Sequence, residues 1–303
     1  MRKEFQKKHR HKKSDDWRDE KVWKKANPNL GVSIFVDDLV RKRDKAKHIL
    51  RQQTSFRRKH CNEWVGSESK WMDVEAWDNC NGPFNPNLLK GKRCIGALDL
   101  SSKLDITAFV LVFPPEEETG VYKIMAWFWV PGENIEEKSK EDRCPYDVWR
   151  DQGFIEATKG NVVDYRHIRK KIRSLSKLYK IQEIGYDPWN ATETAIKLDG
   201  EGFEMVEVRQ GAKTLSEPMK TIEALVVNKQ LAHNGNPVLS WMLDNMVIRS
   251  DPNDNIAPSK KMSRQKIDGI VAFISAMARI MGQEDHESVY AQRGLTVLSS
   301  RKK

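Results

Sequence analysis

The sequence predicts an α/β fold, a mixed five-stranded sheet in which an antiparallel meander joins parallel strands and helices flank the faces. Two observations carry that expectation. Three short apolar runs succeed one another at residues 94–100, 106–113 and 120–130, separated by polar turns. From about residue 160 the apolar period then alternates between that of a helix and that of a strand, the pattern of strand–helix–strand units. The chain has 303 residues, 39% hydrophobic and 32% charged, enough to bury a sizeable core.

Residues 1–88 differ from the rest of the chain. They are rich in charge and tryptophan (Trp17, Trp23, Trp64, Trp71, Trp77) and poor in alternating apolar runs. Residues 37–58 read as a charged helix with a thin apolar stripe of Leu39, Ala46, Ile49 and Leu50. The Asn-, Pro- and Gly-rich stretch at 79–87 reads as a loop. The expected organisation is a basic, Trp-rich arm or connector at 1–88, a sheet domain at 89–283 and a polar tail at 284–303.

Within the sheet domain, the runs 94–100, 106–113 and 120–130 give the meander. Residues 164–180 place Ile168, Ile172, Leu175 and Leu178 on one helical face, with Asp164 as the cap. Next come a strand at 181–186, a helix at 191–199 and a strand at 203–209. Helical periodicity returns at 216–231, 238–246 and, most strongly, 264–281. The order βββαβαβ makes the later strands parallel, because a crossover helix returns the chain in the same direction.

The formal net charge is +10, which favours a polyanionic partner. The termini contribute much of it: residues 1–13 hold seven Lys/Arg against one Glu, and Arg301-Lys302-Lys303 adds three more. The longest apolar runs fall far short of the roughly 18–20 residues that cross a bilayer, so no membrane association is expected. The basic N-terminus has no apolar stretch behind it, so a secretory signal is excluded and a cytoplasmic protein is expected. Cys61, Cys80, Cys94 and Cys144 include no CxxC pair, which argues against a structural zinc site and for buried free thiols.

Three aspartates stand out by position. Asp99 lies inside the first apolar run, between Leu98 and Leu100, where a carboxylate is costly unless it meets a cation or partner. Asp187 ends the strand at 181–186, and Pro188 stops the pairing there; ligands in such sheets gather at strand ends. Asp268 sits at the start of the last helix, beside the stripe Ile267, Ile270, Val271, Ile274, Met277. If the strands of Asp99 and Asp187 are neighbours, the two side chains stand about 5 Å apart. Paired catalytic metals need roughly 3.5–4 Å with bridging carboxylates. Oxygen-only ligands suit two Mg²⁺ or Mn²⁺ ions rather than zinc.

This arrangement resembles the ribonuclease H-like nucleases. Within that group, residues 90–283 resemble the C-terminal nuclease domain of the phage terminase large subunit, of the HK97-like kind. The resemblance rests on Gly96-Ala97-Leu98-Asp99-Leu100-Ser101-Ser102, Gly185-Tyr186-Asp187-Pro188-Trp189-Asn190 and Lys266-Ile267-Asp268-Gly269-Ile270-Val271-Ala272. Between them, Val208-Arg209-Gln210-Gly211, Leu215-Ser216-Glu217-Pro218-Met219-Lys220 and Asn234-Gly235-Asn236-Pro237-Val238-Leu239 match in order. It implies a metal-dependent endonuclease that cuts double-stranded viral DNA during genome packaging, with Asp99, Asp187 and Asp268 as metal ligands. It also implies a packaging ATPase half, a small terminase subunit and a portal as partners, in the host cytoplasm and transiently at the procapsid. Asp105 is marked as an auxiliary acid, and Lys266 and Arg209 as groups for the scissile or flanking phosphates.

The chain carries no G-x-x-x-x-G-K-[ST] loop, so ATP hydrolysis by that route is not expected. Residues 15–80, with Asp16-Trp17-Arg18-Asp19 and Ala26-Asn27-Pro28-Asn29, resemble the stretch that comes after the ATPase in such proteins. The early tryptophans are expected to pack either on the sheet domain or on a missing neighbour, and since the chain reads as the C-terminal half, an absent partner accounts for them. The alternatives are another ribonuclease H-like enzyme, of junction-resolvase or recombinase type, and a non-catalytic module that docks on DNA or a portal.

Overall fold

The computed structural model describes residues 15–48, 50–63, 69–100, 105–117, 120–133, 135–251, 253–263 and 265–292. The basic residues 1–13, Trp64, the turn at 101–104 and the tail beyond residue 292 lie outside them. The first described stretch is helical: α1 (Glu20–Ala26), α2 (Val36–His48) and α3 (Leu50–His60). Asp19 starts α1 by accepting from the Lys21 backbone N–H, and acids stand in the first turns of α1 and α2, where the helix dipole favours them. Together α2 and α3 cover the span read as one charged helix. Their thin stripe closes on a small core of Trp23, Leu39, Ala46, Phe56 and Cys61.

Next come β1 (Ser69–Lys70), α4 (Val74–Asp78) and a 3₁₀ turn (Pro86–Leu89). The meander is β2 (Arg93–Asp99), β3 (Thr107–Phe113) and β4 (Tyr122–Pro131), antiparallel throughout. Beyond it lie α5 (Ile135–Glu141), α6 (Tyr146–Asp151), β5 (Ile155–Thr158) and α7 (Tyr165–Ser176). Asp164 caps α7 as expected, accepting from the Arg166 backbone N–H. The chain continues with β6 (Lys180–Tyr186), α8 (Pro188–Asp199), β7 (Met205–Glu207) and α9 (Ala212–Val227). It ends with β8 (Leu231–Ala232), α10 (Pro237–Asn245), β9 (Val247–Ser250), β10 (Ile256–Pro258) and α11 (Asp268–Gln292).

The main sheet runs β5-β4-β3-β2-β6-β7, with β8 pairing the other end of β4 on the β5 side. It is the expected mixed sheet, with β6 parallel to β2 and β7 parallel to β6. The strands β5 and β8 are additions to the five expected, and both are too short and too polar in context to show a period. A second small sheet, β1-β9-β10, was not foreseen either.

Alternation along the strands divides the core in two. Ile95, Ala97, Val110 and Val112 face α9, α10 and α11. Leu98, Phe109 and Leu111 face α7 and α8 through Ile168, Ile172, Ala191 and Leu198. Both faces are covered, so the central strands show no polar positions until their ends. Two expectations shift. The helix expected at 216–231 runs instead from Ala212 to Val227, so that Pro218 lies in its interior, and Leu231 opens β8. The last helix continues beyond Met281 to Gln292.

Of the tryptophans expected to pack on the sheet domain or on a missing neighbour, Trp23, Trp71 and Trp77 are buried within the chain. Trp23 fills the small helical core, and Trp71 and Trp77 fill the main one. Trp77 stacks on His233 with centroids 4.3 Å apart and donates from Nε1 to Ser240 Oγ at 3.0 Å. Residues 69–80 thus belong to the packing of the sheet domain. Among the described residues no helix is long and apolar enough to cross a membrane. The four cysteines are buried and free. Trp77→Ala is expected to cost about 3–5 kcal/mol in urea unfolding, as removal of a fully buried aromatic does.

Candidate active site

Strand pairing brings the first two aspartates together. Leu98 of β2 is in register with Tyr186 of β6, so Asp99 and Asp187 are the next residues on two adjacent parallel strands, about 4.8 Å apart in backbone spacing. Alternation sends Asp99 to the side of Ile95 and Ala97, the side covered by α11. Glu183 and Gly185 mark the same side of β6, since both meet Arg279 of α11. Pro188 then ends pairing and opens α8, and Asp187 caps that helix by accepting from the Trp189 N–H at 3.1 Å.

Asp268 arrives from above. It is the first residue of α11, and Gly269 behind it packs so closely on Phe128 that an added Cβ would lie 2.6 Å from the ring. Phe128 pairs with Ala108, which pairs with Asp99, so the helix begins over the cross-strand row that contains Asp99. All three acids therefore collect at the end of the sheet where β2 and β6 finish.

Asp99 is only 2% exposed and Asp268 7%. Burial pushes both carboxyls up. For Asp99 the Lys260 ammonium opposes that rise, and the Asp187 charge adds to it. For Asp268, burial and then the Asp99 charge bring it to about 7, against the pull of Lys260. Lys260 Nζ donates to Asp99 Oδ2 at 3.2 Å and Oδ1 at 3.4 Å. Burial lowers its own affinity for the proton, but Asp99, Asp268 and Asp187 together raise it above the ordinary lysine value. Gln210 Nε2 adds a long contact to Asp99 Oδ1 at 3.5 Å. One ammonium thus serves three carboxylates.

The other expected residues fall around this cluster. Asp105, just before β3, accepts from its neighbour Ile106 N–H at 2.8 Å and pairs with Lys266 and with Lys138 at 3.3 Å. Burial pushes its carboxyl up, but Lys266 and Lys138 outweigh that and hold it below the ordinary value. Lys266, expected at a phosphate, is engaged with Asp105. Arg209 is exposed, two residues past Glu207, which pairs with Tyr186; it stands on the same edge as Asp187.

Sequence reasoning missed Lys260 and Gln210. Gln210 lies in a segment singled out for its resemblance, without a role. Lys260 is one of 53 Lys/Arg and carries no local signal.

Among the described residues no three His, Cys, Asp or Glu side chains are already drawn into the geometry of a bound ion. The donor set nevertheless fits one: three oxygen ligands, two of them buried and held against mutual repulsion, with a lysine as the local cation.

A family model described as the terminase large subunit, endonuclease domain, matches residues 8–284. The chain is 32% identical over 296 residues to Protein YmfN of Escherichia coli (strain K12), covering 93% of this chain and 65% of that protein. It is 30% identical over 264 residues to the large terminase subunit of Enterobacteria phage HK97, covering 86% of this chain and 51% of that one. The crystal structure of the HK97 bacteriophage large terminase shares the fold with a TM-score of 0.64 and 28% identity, over 89% of this chain and 56% of that chain. The chain thus spans between about half and two thirds of the length of these relatives.

Lys260 and Gly269 are both open to test. Lys260→Met leaves the buried Asp99 without its cation; because the lysine is itself about half exposed, the expected loss is only about 1–2 kcal/mol in chelator. Mn²⁺ should then raise the melting temperature more than it does in the wild type, and an equal or smaller rise contradicts the counter-ion role. Gly269→Ala should destabilise by about 1–3 kcal/mol through overpacking on Phe128. Gly282→Ala, farther along the same helix with only an Arg279 nitrogen at 3.6 Å, should be neutral or stabilising.

Proposed function

The chain belongs to the terminase large subunit endonuclease-domain family, and on that premise we propose that it is a metal-dependent endonuclease cutting double-stranded viral DNA during packaging. The observation that carries the reading is the convergence of Asp99, Asp187 and Asp268 at one sheet end, with their charge only partly balanced by Lys260.

Asp99, Asp187 and Asp268 would hold two divalent cations, Mg²⁺ or Mn²⁺, since all their donor atoms are hard oxygens. Such ions, when bound, lower the pKa of a coordinated water and offset charge on the leaving oxygen of the phosphodiester. The chain's own groups supply the rest. Burial of Asp99 on the side of the sheet covered by α11 restricts how its carboxylate is presented. Gln210 reaches Oδ1, one of the two Asp99 oxygens that Lys260 meets. With the carboxylates neutralised by cations, Lys260 is free to turn to a phosphate, being already half exposed. Arg209 on the open edge would receive a flanking phosphate. The surplus of +10 adds affinity for the backbone that weakens with salt and reads no sequence.

The partners proposed for the whole protein are the packaging ATPase half, the small terminase subunit and the portal, in the host cytoplasm.

The test is cleavage of supercoiled plasmid with Mg²⁺, with Mn²⁺ and with chelator in parallel. Wild-type protein should nick and linearise only with the metals. Asp99→Asn should lose about a hundredfold or more, several kcal/mol of transition-state stabilisation, while keeping its fold by circular dichroism. Preference for four-way junctions over linear duplex would replace this reading with a resolvase. No cleavage with any divalent metal would leave a docking module.

A further inference from the structure

The side chain of Trp189 is 89% exposed, although tryptophan is among the costliest side chains to leave in water. It stands two residues after Asp187, at the second position of α8, and its backbone N–H is the one Asp187 accepts from. Its placement is not a by-product of helix packing. The buried side of α8 is formed by Ala191, Thr194, Ala195 and Leu198, and Trp189 lies on the opposite side. Ile196, seven residues on and two turns along that outward side, is 66% exposed, about 10 Å away along the axis. Glu193 between them is ion-paired with Lys197. Helical side chains lean toward the N-terminus of their helix, so the indole leans toward the end of the sheet where β6 finishes and Asp187 stands.

The surroundings select the occupant. The same end of the sheet carries the exposed Arg209, two residues past the Glu207 that pairs with Tyr186, and the half-exposed Lys260 on Asp99. An apolar ring beside cations at the end of a sheet suits nucleic acid, whose bases offer π-faces and whose phosphates offer charge. A protein surface would more often ask for a closed apolar patch, and here the apolar surface is one ring and one isoleucine set among charges.

We propose that Trp189 is a DNA-contacting residue whose ring wedges against a base step of the duplex near the phosphate presented to Asp99, Asp187 and Asp268, with Ile196 extending the contact. The proposal rests on the nuclease reading for which phosphate lies at the aspartates, but not for the contact itself. That contact would fix the duplex relative to the carboxylates in a way that long-range charge does not, because charge alone lets the protein slide.

The test measures binding of a fluorescein-labelled 30-base-pair duplex by anisotropy, with the full chain in Ca²⁺ so that the three carboxylates are neutralised, for wild type, Trp189→Ala, Trp189→Phe and Arg209→Ala. Plasmid cleavage in Mn²⁺ runs alongside. Trp189→Ala should bind more weakly by about fivefold or more, the gain of one aromatic–base contact less the unstacking it costs the duplex, and Trp189→Phe should keep most of the affinity. The dependence of log affinity on log salt should keep its slope in Trp189→Ala, because no phosphate contact is lost, and flatten by about one in Arg209→Ala. Unfolding midpoints should be unchanged in both Trp189 variants, as the side chain is exposed. Wild-type affinity and cleavage in Trp189→Ala would overturn the proposal and leave the ring to a protein partner. Binding that depends on Trp189 in a protein that cuts nothing would sustain the DNA contact while removing the nuclease reading.

Discussion

The structure turns on the burial of one carboxylate. Asp99 ends a strand that is covered on both faces, and it lies beside a second carboxylate that the parallel register of β6 places next to it. A charge so placed is costly unless it meets a cation, and Lys260 supplies one from 161 residues away. That loop is fixed in turn. Ser259 N–H donates to Val247 O at 2.9 Å, Ser263 Oγ donates to Ser259 O at 2.8 Å, and Val247 N–H donates to Ser263 Oγ at 3.2 Å. The small sheet β1-β9-β10 therefore acts as the mount for the lysine. Because β1 pairs with β9, the segment around residue 70 is tied to the same mount.

The position of Asp268 depends on a different constraint, the fit of α11 to the sheet. At one end Gly269 lets the helix rest on Phe128 and its N–H meets the Met242 sulfur at 3.1 Å. Farther along, Arg279 forms a two-pronged pair with Glu183 at 2.6 and 3.2 Å. Glu183 lies four residues before Asp187 on β6, and Arg279 eleven residues after Asp268, so the helix runs back along the strand that carries Asp187. Apolar packing holds α11 against the sheet in general; the pair and the glycine set where along the sheet it stops. A part-buried ion pair adds little net stability, yet both hydrogen bonds of this one form only with α11 at one position along β6. That position decides whether the third carboxylate reaches the other two.

Much of this was legible in the sequence, for identifiable reasons. The meander, β6, α7 and α11 each present enough consecutive apolar positions to declare a period, and the aspartates are conspicuous because each interrupts one. Their convergence was legible only through strand order, which Pro188 and the crossover of α7 support. What stayed hidden is what tertiary contact decides. β5, β8 and the second sheet are two to four residues long, below the length at which alternation means anything. Trp71 and Trp77 sit in a polar stretch whose partners are far away in the chain, so their burial could not be read locally. Lys260 had no signal because its role is set by where the mount holds it, and a lysine in so basic a chain is unremarkable.

The contrast between Asp99 and Asp105 shows how charge compensation sorts acids into roles. Asp105 has two ammonium partners and a backbone N–H, and its carboxyl is held below the ordinary range. It is saturated, and its partners come from α5 and from the residues leading into α11, which makes it a clip between those elements and β3. Burial holds the carboxyls of Asp99 and Asp268 above the ordinary range, the charge of Asp187 adds to it at Asp99 and that of Asp99 at Asp268, and one half-exposed lysine opposes both. A saturated carboxylate gains little from a cation, whereas an undersupplied pair gains a great deal, because a divalent ion relieves repulsion that the fold has already imposed. By that reasoning Asp105 and Lys266 belong to the scaffold. The cation demand is concentrated on the three acids where β2, β6 and α11 meet.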